Sequence, residues 1–317
     1  MTDGILTNPQ RTAPMEATTS APAAIPREET PFARFVRSFM EDRVALAGLL
    51  VFLLIVVVAV AAPLIAPQNP YDLSAVDVMD SRLPPGEKAG EGFTMLLGSD
   101  GVGRDLLSGI LYGLRISLMV GAFSGLIAAT LGMTIGLIAA YAGGRVESAI
   151  MRIVDLQLSL PSVLVALILV AGLGKGIDKI IIALVMVQWA YYARTVRGSA
   201  LVERRKEYVE AAQSLGLSHA RTVFRHILPN CLAPVIVIAT VQTAHAISLE
   251  ATLSFLGVGL PQTEPSLGVL IANGFQYMIS GSYWISVFPG IALLLTIVSI
   301  NLVGDRLRDV LNPRLEK

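Results

Sequence analysis

Residues 44–66 read VALAGLLVFLLIVVVAVAAPLIA, a continuous run without a charged or amide side chain. An α-helix rises 1.5 Å per residue, so a run of this length crosses the roughly 30 Å hydrocarbon core of a bilayer. A helix also satisfies its own backbone hydrogen bonds where no water is present. The run therefore predicts a transmembrane helix. It begins too far from the N terminus for a cleaved signal peptide, so we interpret it as a retained anchor.

The composition of the whole chain agrees with this start. The 317 residues are 54% hydrophobic and only 15% charged, and the mean hydropathy is +0.66. These values predict an all-α integral membrane protein. The formal net charge of zero argues against a nucleic-acid binder. The single cysteine, Cys231, has no partner for an internal disulfide and is predicted to be a small core residue.

The apolar runs give six candidate transmembrane helices. Asp155, Gln157 and Pro161 interrupt the third, and a proline there requires neighbouring helices to satisfy the freed carbonyl. The six predicted spans are residues 44–66, 116–141, 150–173, 177–193, 232–256 and 284–303. They divide the chain into a flexible N-terminal tail (1–43), the first transmembrane helix (44–66), an external segment (67–115), a core with five transmembrane helices (116–305) and a C-terminal tail (306–317).

The distribution of lysine and arginine predicts the orientation. Eighteen of the 24 basic residues lie in the tails, in the second-to-third connection and in the fourth-to-fifth connection. The other six lie on the opposite side, in the first-to-second and third-to-fourth connections. Positive residues accumulate in cytoplasmic loops. Both termini and the fourth-to-fifth connection are therefore predicted to be cytoplasmic.

The fourth-to-fifth connection contains a polar stretch, EYVEAAQSLGLSHARTVFRHILPN, at residues 207–230. Tyr208, Ala211, Ala212 and Leu215 have helical spacing and predict the apolar face of an amphipathic helix. Gly216 suits the left-handed residue that ends a helix, and Ser218 suits the cap of the next. The apolar set of that second helix is Ala220, Val223, Phe224 and Ile227, and Pro229 predicts a change of direction into the fifth span.

Three interpretations of this stretch are open. It is a solvated connection, a DNA-binding helix-turn-helix, or a docking element that passes the motion of a soluble partner into the membrane. Helix connections usually need only 2–8 residues, so two capped helices exceed what a passive connection requires. Both ends join membrane spans within a few residues, which leaves no reach into a DNA groove. The docking interpretation is therefore preferred.

The pattern Glu210-Ala211-Ala212, then Gly216, then Pro229, resembles the signature loop of the membrane permeases of bacterial ABC importers. The resemblance implies a cytoplasmic coupling helix between the fourth and fifth spans that sits in a cleft of a separate ATPase. The implied coupling residues are Glu210, Ala211, Ala212, Gly216, Leu217, Ser218 and Pro229. His226 stands where the family usually has an aliphatic residue.

Two further segments resemble the dipeptide and oligopeptide importers, in the second-permease type with a long first external loop. They are LLGSDGVGRDLLSGILYGLRISLMVG at 96–121 and SFLGVGLPQTEPSLGVLI at 254–271, with MRIVDLQLSLPSVL at 151–164 also similar. The resemblance implies a multi-pass subunit of the bacterial cytoplasmic (inner) membrane that translocates di- or oligopeptides by alternating access. It implies as partners a homologous second permease, two ATP-binding subunits and a periplasmic binding protein. A nickel chelate or a peptide-like opine is an alternative cargo.

The chain is not expected to be an enzyme or to hold a cofactor. The glycines of residues 98–105 lack the Gly-Lys-Ser/Thr of a phosphate loop and are predicted to be external. In GLGKG, residues 172–176, Gly176 stands where a hydroxyl would bind magnesium. ATP and magnesium would therefore bind the partner subunits.

Polar groups within the predicted spans mark candidates for the substrate path, because such groups are costly in lipid and usually face the bundle interior. Gln188, Gln242 and His245 are equally compatible with lining a cavity and with bonding between helices. Asp155 is predicted to pair with Arg152, one turn away. Glu250 is predicted to reach the outer interface.

Two rival functions are weighed. A secondary transporter would predict charged relays or an inverted repeat, and neither is clear in the sequence. A membrane-anchored regulator that binds DNA would predict a long flexible tether, which the spacing of the spans does not provide.

Overall fold

A computed structural model describes residues 30–72, 76–90 and 92–311 as a helical protein. The short segments between the helices contain one 3₁₀ turn, Val78–Asp80, and one π-helical turn, Val223–Ile227. Only isolated β-bridges occur in the described ranges, at Lys88 with Thr94 and Ser99 with Asp105. The helices are α1 Pro31–Met40, α2 Arg43–Ile65, α3 Leu106–Ala142, α4 Gly144–Ser159, α5 Ser162–Leu173, α6 Ile177–Glu203, α7 Glu207–Ser214, α8 His219–Thr222, α9 Leu228–Phe255, α10 Leu267–Phe275 and α11 Trp284–Val310.

Four helices of the described chain are long and apolar enough to cross a membrane. They are Arg43–Ile65, Leu106–Ala142, His219–Phe255 and Trp284–Val310, and the bent pair α4–α5 makes a fifth if it counts as one span. The expected fourth span, α6, has 27 residues but is not in this group. Charged residues at both its ends, Asp178 and Lys179 at one and Arg194 and Arg197 at the other, lower its apolar content. The count of six spans stays a prediction.

The expected third span is not a continuous helix. α4 ends at Ser159, α5 begins at Ser162, and the two axes differ by 92°. Leu160 is extended, with φ −90° and ψ 139°. A residue before proline avoids the helical region, and the N–H that Pro161 lacks would be needed in an uninterrupted helix. We expected Pro161 to lie within a span, where neighbouring helices would satisfy the freed carbonyl. Instead, it lies at the break between α4 and α5, and α5 alone is too short to cross a bilayer.

Helices extend into the predicted tails and into the predicted external segment. Residues 31–40, placed in the flexible tail, form helix α1, capped by the Thr30 side chain, which accepts from the Ala33 N–H at 3.3 Å. α3 begins at Leu106, inside the expected external segment, and α11 continues to Val310. The remaining parts of the predicted tails, residues 1–29 and 312–317, lie outside the described residues.

The core lies where α3 packs between α6 and α9. Glycines of α3 allow the close approach to α6: a Cβ on Gly132 would stand 2.5 Å from the Trp189 carbonyl oxygen, and one on Gly136 would stand 2.6 Å from that of Ala193. Ala128, Tyr192 and Val196 are fully buried at this contact. Cys231 is also fully buried, among apolar side chains of the same cluster, so its predicted core position is confirmed.

Candidate functional site

The predicted amphipathic helix exists as α7, and we call residues 207–230 the α7–α8 segment. Gly216 has a φ of +73°, a conformation that glycine adopts without strain. The Leu217 N–H donates to the Ala212 carbonyl at 3.2 Å, and the Leu215 N–H donates to the Ala211 carbonyl at 3.0 Å. These bonds satisfy the last carbonyls of the helix. The predicted left-handed turn at Gly216 is thereby confirmed.

The buried face of α7 differs from the predicted one. Val209 is fully buried and Ala212 is 4% exposed, whereas Leu215 is 80% exposed and Ala211 is also exposed. Val209, which follows Tyr208 in the chain and is not part of the predicted apolar face, packs with Val223 and Ile227. The buried face of the helix is therefore rotated relative to the predicted one. Glu210, as expected of a polar position, is exposed.

The second predicted helix is not separated from the fifth span. α8, the π turn and α9 form one helix, His219–Phe255, and Pro229 lies in the first turn of α9. Its missing N–H is tolerated there because the wider π turn has already displaced the α-helical bonding pattern. The helix therefore continues through Pro229, where we predicted that the chain would turn. Ser218 occupies the N-cap position, but its side chain makes no cap bond.

The outer side of this second helix carries an exposed aromatic ring. Val223 and Ile227, two members of its predicted apolar set, are buried. Phe224, a third member, is 62% exposed, and Ala220 is exposed too. The α7–α8 segment thus has two large apolar side chains, Leu215 and Phe224, that are exposed.

A hydrogen-bonded brace joins the end of α6 to the π turn. The Tyr208 hydroxyl donates to the Glu203 carboxylate at 2.5 Å, and Lys206 contacts the other oxygen of that carboxylate at 2.6 Å. The Asn230 amide donates to Tyr208 at 3.2 Å and to the His226 carbonyl at 2.8 Å. Burial and the bond to Glu203 raise the pKa of Tyr208 to about 12. The hydrogen bonds at His226 are thus accepted by its backbone carbonyl, and they do not depend on which side chain stands at this position.

The same segment is also joined to the end of α3. Arg204, which caps the end of α6 just before the segment, donates to the carbonyls of Ala140 at 2.9 Å and Tyr141 at 3.1 Å, and its guanidinium lies 5.5 Å from the centre of the Tyr141 ring. The Tyr141 hydroxyl is hydrogen-bonded to His219. Bonds to α3, together with the brace from α6, fix the segment relative to both helices.

The polar candidates for the substrate path lie at two places. Gln188 is fully buried and donates through Nε2 to the Gln242 carbonyl at 2.9 Å, and Gln242 itself is 4% exposed. His245 is half-buried, and its Nε2 lies 3.4 Å from the Ser162 hydroxyl. Gln188 Oε1 and Gln242 Nε2 are buried without a partner among the described residues. Gln188 and Gln242 therefore join α6 to α9, while His245 faces α5.

Two predictions about charged residues are wrong. Asp155 pairs with Arg194 of α6 and not with Arg152, because its carboxylate points across the helix contact. Glu250 does not reach an outer interface: it is fully buried, and its two oxygens accept from Ser117 at 3.2 Å and Ser254 at 2.8 Å. The reason is that α10 covers this end of α9, with Gly268 packed against the Ala251 backbone.

The external segment between α2 and α3 is built around a buried ion pair. Arg104 Nε donates to Asp100 Oδ2 at 2.8 Å, and the two side chains are 6% and 3% exposed. Asp100 Oδ1 accepts from the N–H groups of Val102 and Arg104 at 2.9 and 3.0 Å. A Cβ on Gly103, which has φ +96°, would stand 2.2 Å from the Asp77 carbonyl oxygen. Gly103 thus allows tight internal packing of the segment.

Comparison with known protein families identifies the class of protein. Residues 132–317 match the family described as the binding-protein-dependent transport system inner membrane component. Residues 30–85 match the N-terminal transmembrane domain of oligopeptide transport permease C. The chain belongs to this family of binding-protein-dependent transport permeases, and it is a multi-pass membrane subunit of a bacterial ABC importer.

Individual relatives agree with this assignment along almost the whole chain. A putative peptide transport system permease protein of Brucella abortus is 41% identical over 91% of this chain and 94% of that protein. The di/tripeptide permease DppC of Pseudomonas aeruginosa is 38% identical over 95% and 99%. The dipeptide permease DppC of Escherichia coli K12 is 40% identical over 91% and 95%.

A solved structure supports the fold. An inward-facing structure of the MetNI methionine ABC transporter covers 65% of this chain and 98% of its own, with a TM-score of 0.54 and 20% identity. At this identity the likeness concerns the fold alone.

Sequence reasoning missed the residues that hold the α7–α8 segment in place. Helical spacing places Tyr208 in an apolar stripe, although its hydroxyl is the centre of the brace to Glu203 and Asn230. The charge distribution along the chain identifies Arg204 only as a positive charge. The five-residue spacing of Glu203 and Tyr208 could have indicated this bond. Helical periodicity does not detect it, because the two residues lie on either side of a helix end.

Proposed function

We propose that this chain is the permease subunit of an importer for di- or oligopeptides. The names of its relatives support a peptide cargo, since the Brucella, Pseudomonas and Escherichia proteins that match more than nine tenths of the chain are named as peptide permeases. A nickel chelate or an opine remains the alternative cargo. The chain itself would hold no ATP, and energy would come from two ATP-binding subunits.

The α7–α8 segment would be the coupling element, docked on an ATPase subunit. The observation that carries this proposal is the pair of exposed apolar side chains, Leu215 and Phe224, on a segment whose backbone is rigidly held. Large exposed apolar groups on a polar loop are typical of an interface. Ala211 and Gly216 would let the partner approach the backbone closely, and Glu210 would offer an acceptor to a basic group.

The contacts of the segment suggest how motion would pass into the membrane. Its second helix is continuous with α9, its first is tied to α6 through Glu203, and the hydrogen bond of His219 to Tyr141 links it to α3. Closure of the ATPase dimer would displace α7, and the displacement would reach all three helices of the core. Alternating access would follow from the rocking of those helices. Ser218, Leu217 and Pro229 would act by shaping this segment.

The orientation and the path complete the proposal. Both termini and the α7–α8 segment would face the cytoplasm, and the external segment would face a periplasmic binding protein. A homologous second permease would supply the other half of the path. His245, with Ser162 beside it, would line that path, while Gln188 and Gln242 would reach it only when α6 and α9 separate.

Replacement of Gly216 by leucine tests the coupling role. A leucine has no steric obstacle there, since nothing lies within 4 Å of its Cβ position, but it disfavours the left-handed turn. We expect peptide uptake into vesicles that contain the complete complex to fall at least about tenfold, equivalent to ~1.4 kcal/mol. Assembly in the membrane should be unchanged, and ATP hydrolysis should persist.

Gly281→Leu is the matched control. Gly281 has φ +93° and equally open surroundings, but it lies in the turn before α11, far along the chain from the α7–α8 segment. Uptake by this variant should stay near that of the unchanged protein. Normal uptake by Gly216→Leu, or equal losses in both variants, would show that the segment does not couple the two activities.

A further inference from the structure

Helix α1 stands directly before the first membrane-spanning helix and is amphipathic. Its ten residues, PFARFVRSFM, include two arginines and no acidic residue. Arg34 and Arg37 are three positions apart, so they share one face of the helix, and both are exposed. Phe35 and Phe39 lie on the other face, with their ring centres 6.4 Å apart. Neither the coupling mechanism nor the path described above uses this helix.

Contacts with α2 and α11 fix the level of α1 relative to the membrane. Only Glu41 and Asp42 separate it from α2, and Asp42 is extended, with φ −90° and ψ 107°, so the two helices are distinct. α1 packs on both α2 and α11, and Phe39 is 8% exposed. Arg306, in the last two turns of α11, donates to the Ser38 carbonyl. The apolar run of α2 begins one residue into that helix, so α1 lies where both helices leave the hydrocarbon core.

The outer side of α1 combines apolar and charged groups. An open groove runs along the helix, lined by Ala33, Val36, Arg37, Met40 and Glu41. Met40 is 58% exposed, and Ala33 is exposed as well. Arg37 and Glu41 form an ion pair at 3.9 Å, but both side chains are largely in solvent, where such a pair contributes little. An apolar floor beside a charged edge suits an acyl chain that lies below a charged headgroup.

The size and the charge of this surface decide between a protein and a lipid. A helix of ten residues is about 15 Å long, so one of its faces is far smaller than the roughly 800 Å² that each partner buries in a stable protein interface. An amphipathic helix at a membrane surface instead needs only shallow insertion and attraction to anionic lipids. Arg34, Arg37 and Arg43 are exposed. Glu41 is the one exposed acidic residue among residues 33–44, since Asp42 caps α2.

We propose that α1 lies in the headgroup layer of the cytoplasmic leaflet and that Arg34 and Arg37 bind the phosphates of anionic phospholipids there. The choice of leaflet rests on the proposed function, because it requires the N terminus to be cytoplasmic. Val36 and Met40 would insert beside the acyl chains. Through the Ser38 carbonyl, the bound lipid would help to hold the cytoplasmic end of α11.

The first test measures which lipids contact α1. Cys231 is the only cysteine of the chain, so Met40→Cys in a Cys231→Ala background can carry a single bimane label in a complex with cysteine-free partner subunits. The complete complex is placed in phosphatidylcholine nanodiscs with a small fraction of nitroxide-labelled phosphatidylglycerol or nitroxide-labelled phosphatidylcholine. Both should quench the label, and phosphatidylglycerol should be preferred about fivefold, equivalent to ~1 kcal/mol. No quenching, or no preference, would overturn the proposal.

Charge removal in the same labelled chain assigns the preference to the two arginines. Arg34→Gln combined with Arg37→Gln should abolish the preference for phosphatidylglycerol, while quenching by phosphatidylcholine persists because the apolar side is unchanged. Arg145→Gln combined with Arg152→Gln is the matched control, since it removes the same charge from exposed positions of α4. The control should keep the fivefold preference. Equal losses in both double variants would show an effect of total charge and would overturn the proposal.

Peptide uptake by the unchanged complex separates the two levels of inference. If the complex shows the lipid preference but does not import peptides, the proposed function is wrong and the lipid site stands. If it imports peptides while the label at position 40 does not distinguish the two lipids, only the lipid site is wrong.

Discussion

The external segment and the α7–α8 segment are both polar connections, yet they use their side chains in opposite ways. In the external segment Asp100, Arg104 and Ser99 are buried and bonded within the segment or to its neighbours. In the α7–α8 segment the polar groups brace the backbone, while Leu215 and Phe224 stay exposed. The first segment is stabilised by its own contacts, and the second presents a surface that this chain alone does not cover.

The difference teaches that the polarity of a connection does not predict its role. Burial of a charge is costly unless it is paired, so a buried ion pair indicates a segment with its own fixed tertiary structure. In the proposed complex, the exposed Leu215 and Phe224 would be covered by an ATPase subunit. The predictions below change one kind of contact at a time, and they are ordered by the expected effect on stability.

The largest loss of stability is expected when the buried ion pair is broken. Arg104→Met leaves the Asp100 carboxylate buried and without its counter-charge, which costs about 3–5 kcal/mol. The thermal midpoint of the detergent-solubilised chain would report this loss. The exposed pair of Arg194 and Asp155 provides the comparison, because Arg194→Met should cost at most about 1 kcal/mol. Equal losses would show that the external segment is not a self-supporting unit.

A smaller but clear loss is expected for Gly103→Ala. The residue has φ +96°, which costs an L-residue about 1–3 kcal/mol, and the new methyl group would also collide with the Asp77 carbonyl. Limited proteolysis should detect cleavage of the external segment at a lower temperature than in the unchanged chain. Gly86→Ala has a similar φ of +87° with nothing within 4 Å, so it isolates the backbone cost. If both variants resist protease equally, the close packing around Gly103 is not important.

The smallest effect on stability is expected at the exposed side of α7. Leu215→Ser removes an 80% exposed side chain and should change the free energy of unfolding by no more than about 0.5 kcal/mol. It should nevertheless weaken the binding of a purified ATPase subunit, measured by co-purification. Val209→Ser, at a fully buried position of the same helix, should instead destabilise the chain by roughly 1–3 kcal/mol. A reversed order of stabilities would mean that α7 is oriented as the sequence alone predicted.

Much of the fold followed from local sequence. The apolar runs located α2, α9 and α11, and Gly216 marked the left-handed helix end, because these features depend on composition and backbone sterics within a few residues. The family assignment followed in the same way from motifs such as Glu210-Ala211-Ala212. The close packing of Gly98, Gly101 and Gly103 against distant residues, by contrast, is a property of the folded chain.

Other features were decided only by tertiary structure, because they depend on contacts between residues far apart in the chain. The partner of Asp155 is Arg194 and not Arg152, since packing of α4 on α6 sets the direction of the carboxylate. Glu250 is buried because α10 covers it, and helical periodicity cannot include that distant element. The rotation of α7 is fixed by Val223 and Ile227, so its exposed face appears only in the folded chain. The sequence by itself determined that the chain spans a membrane and that a helix ends at Gly216. The three-dimensional packing determined which side chains of that helix and of the next one stay exposed.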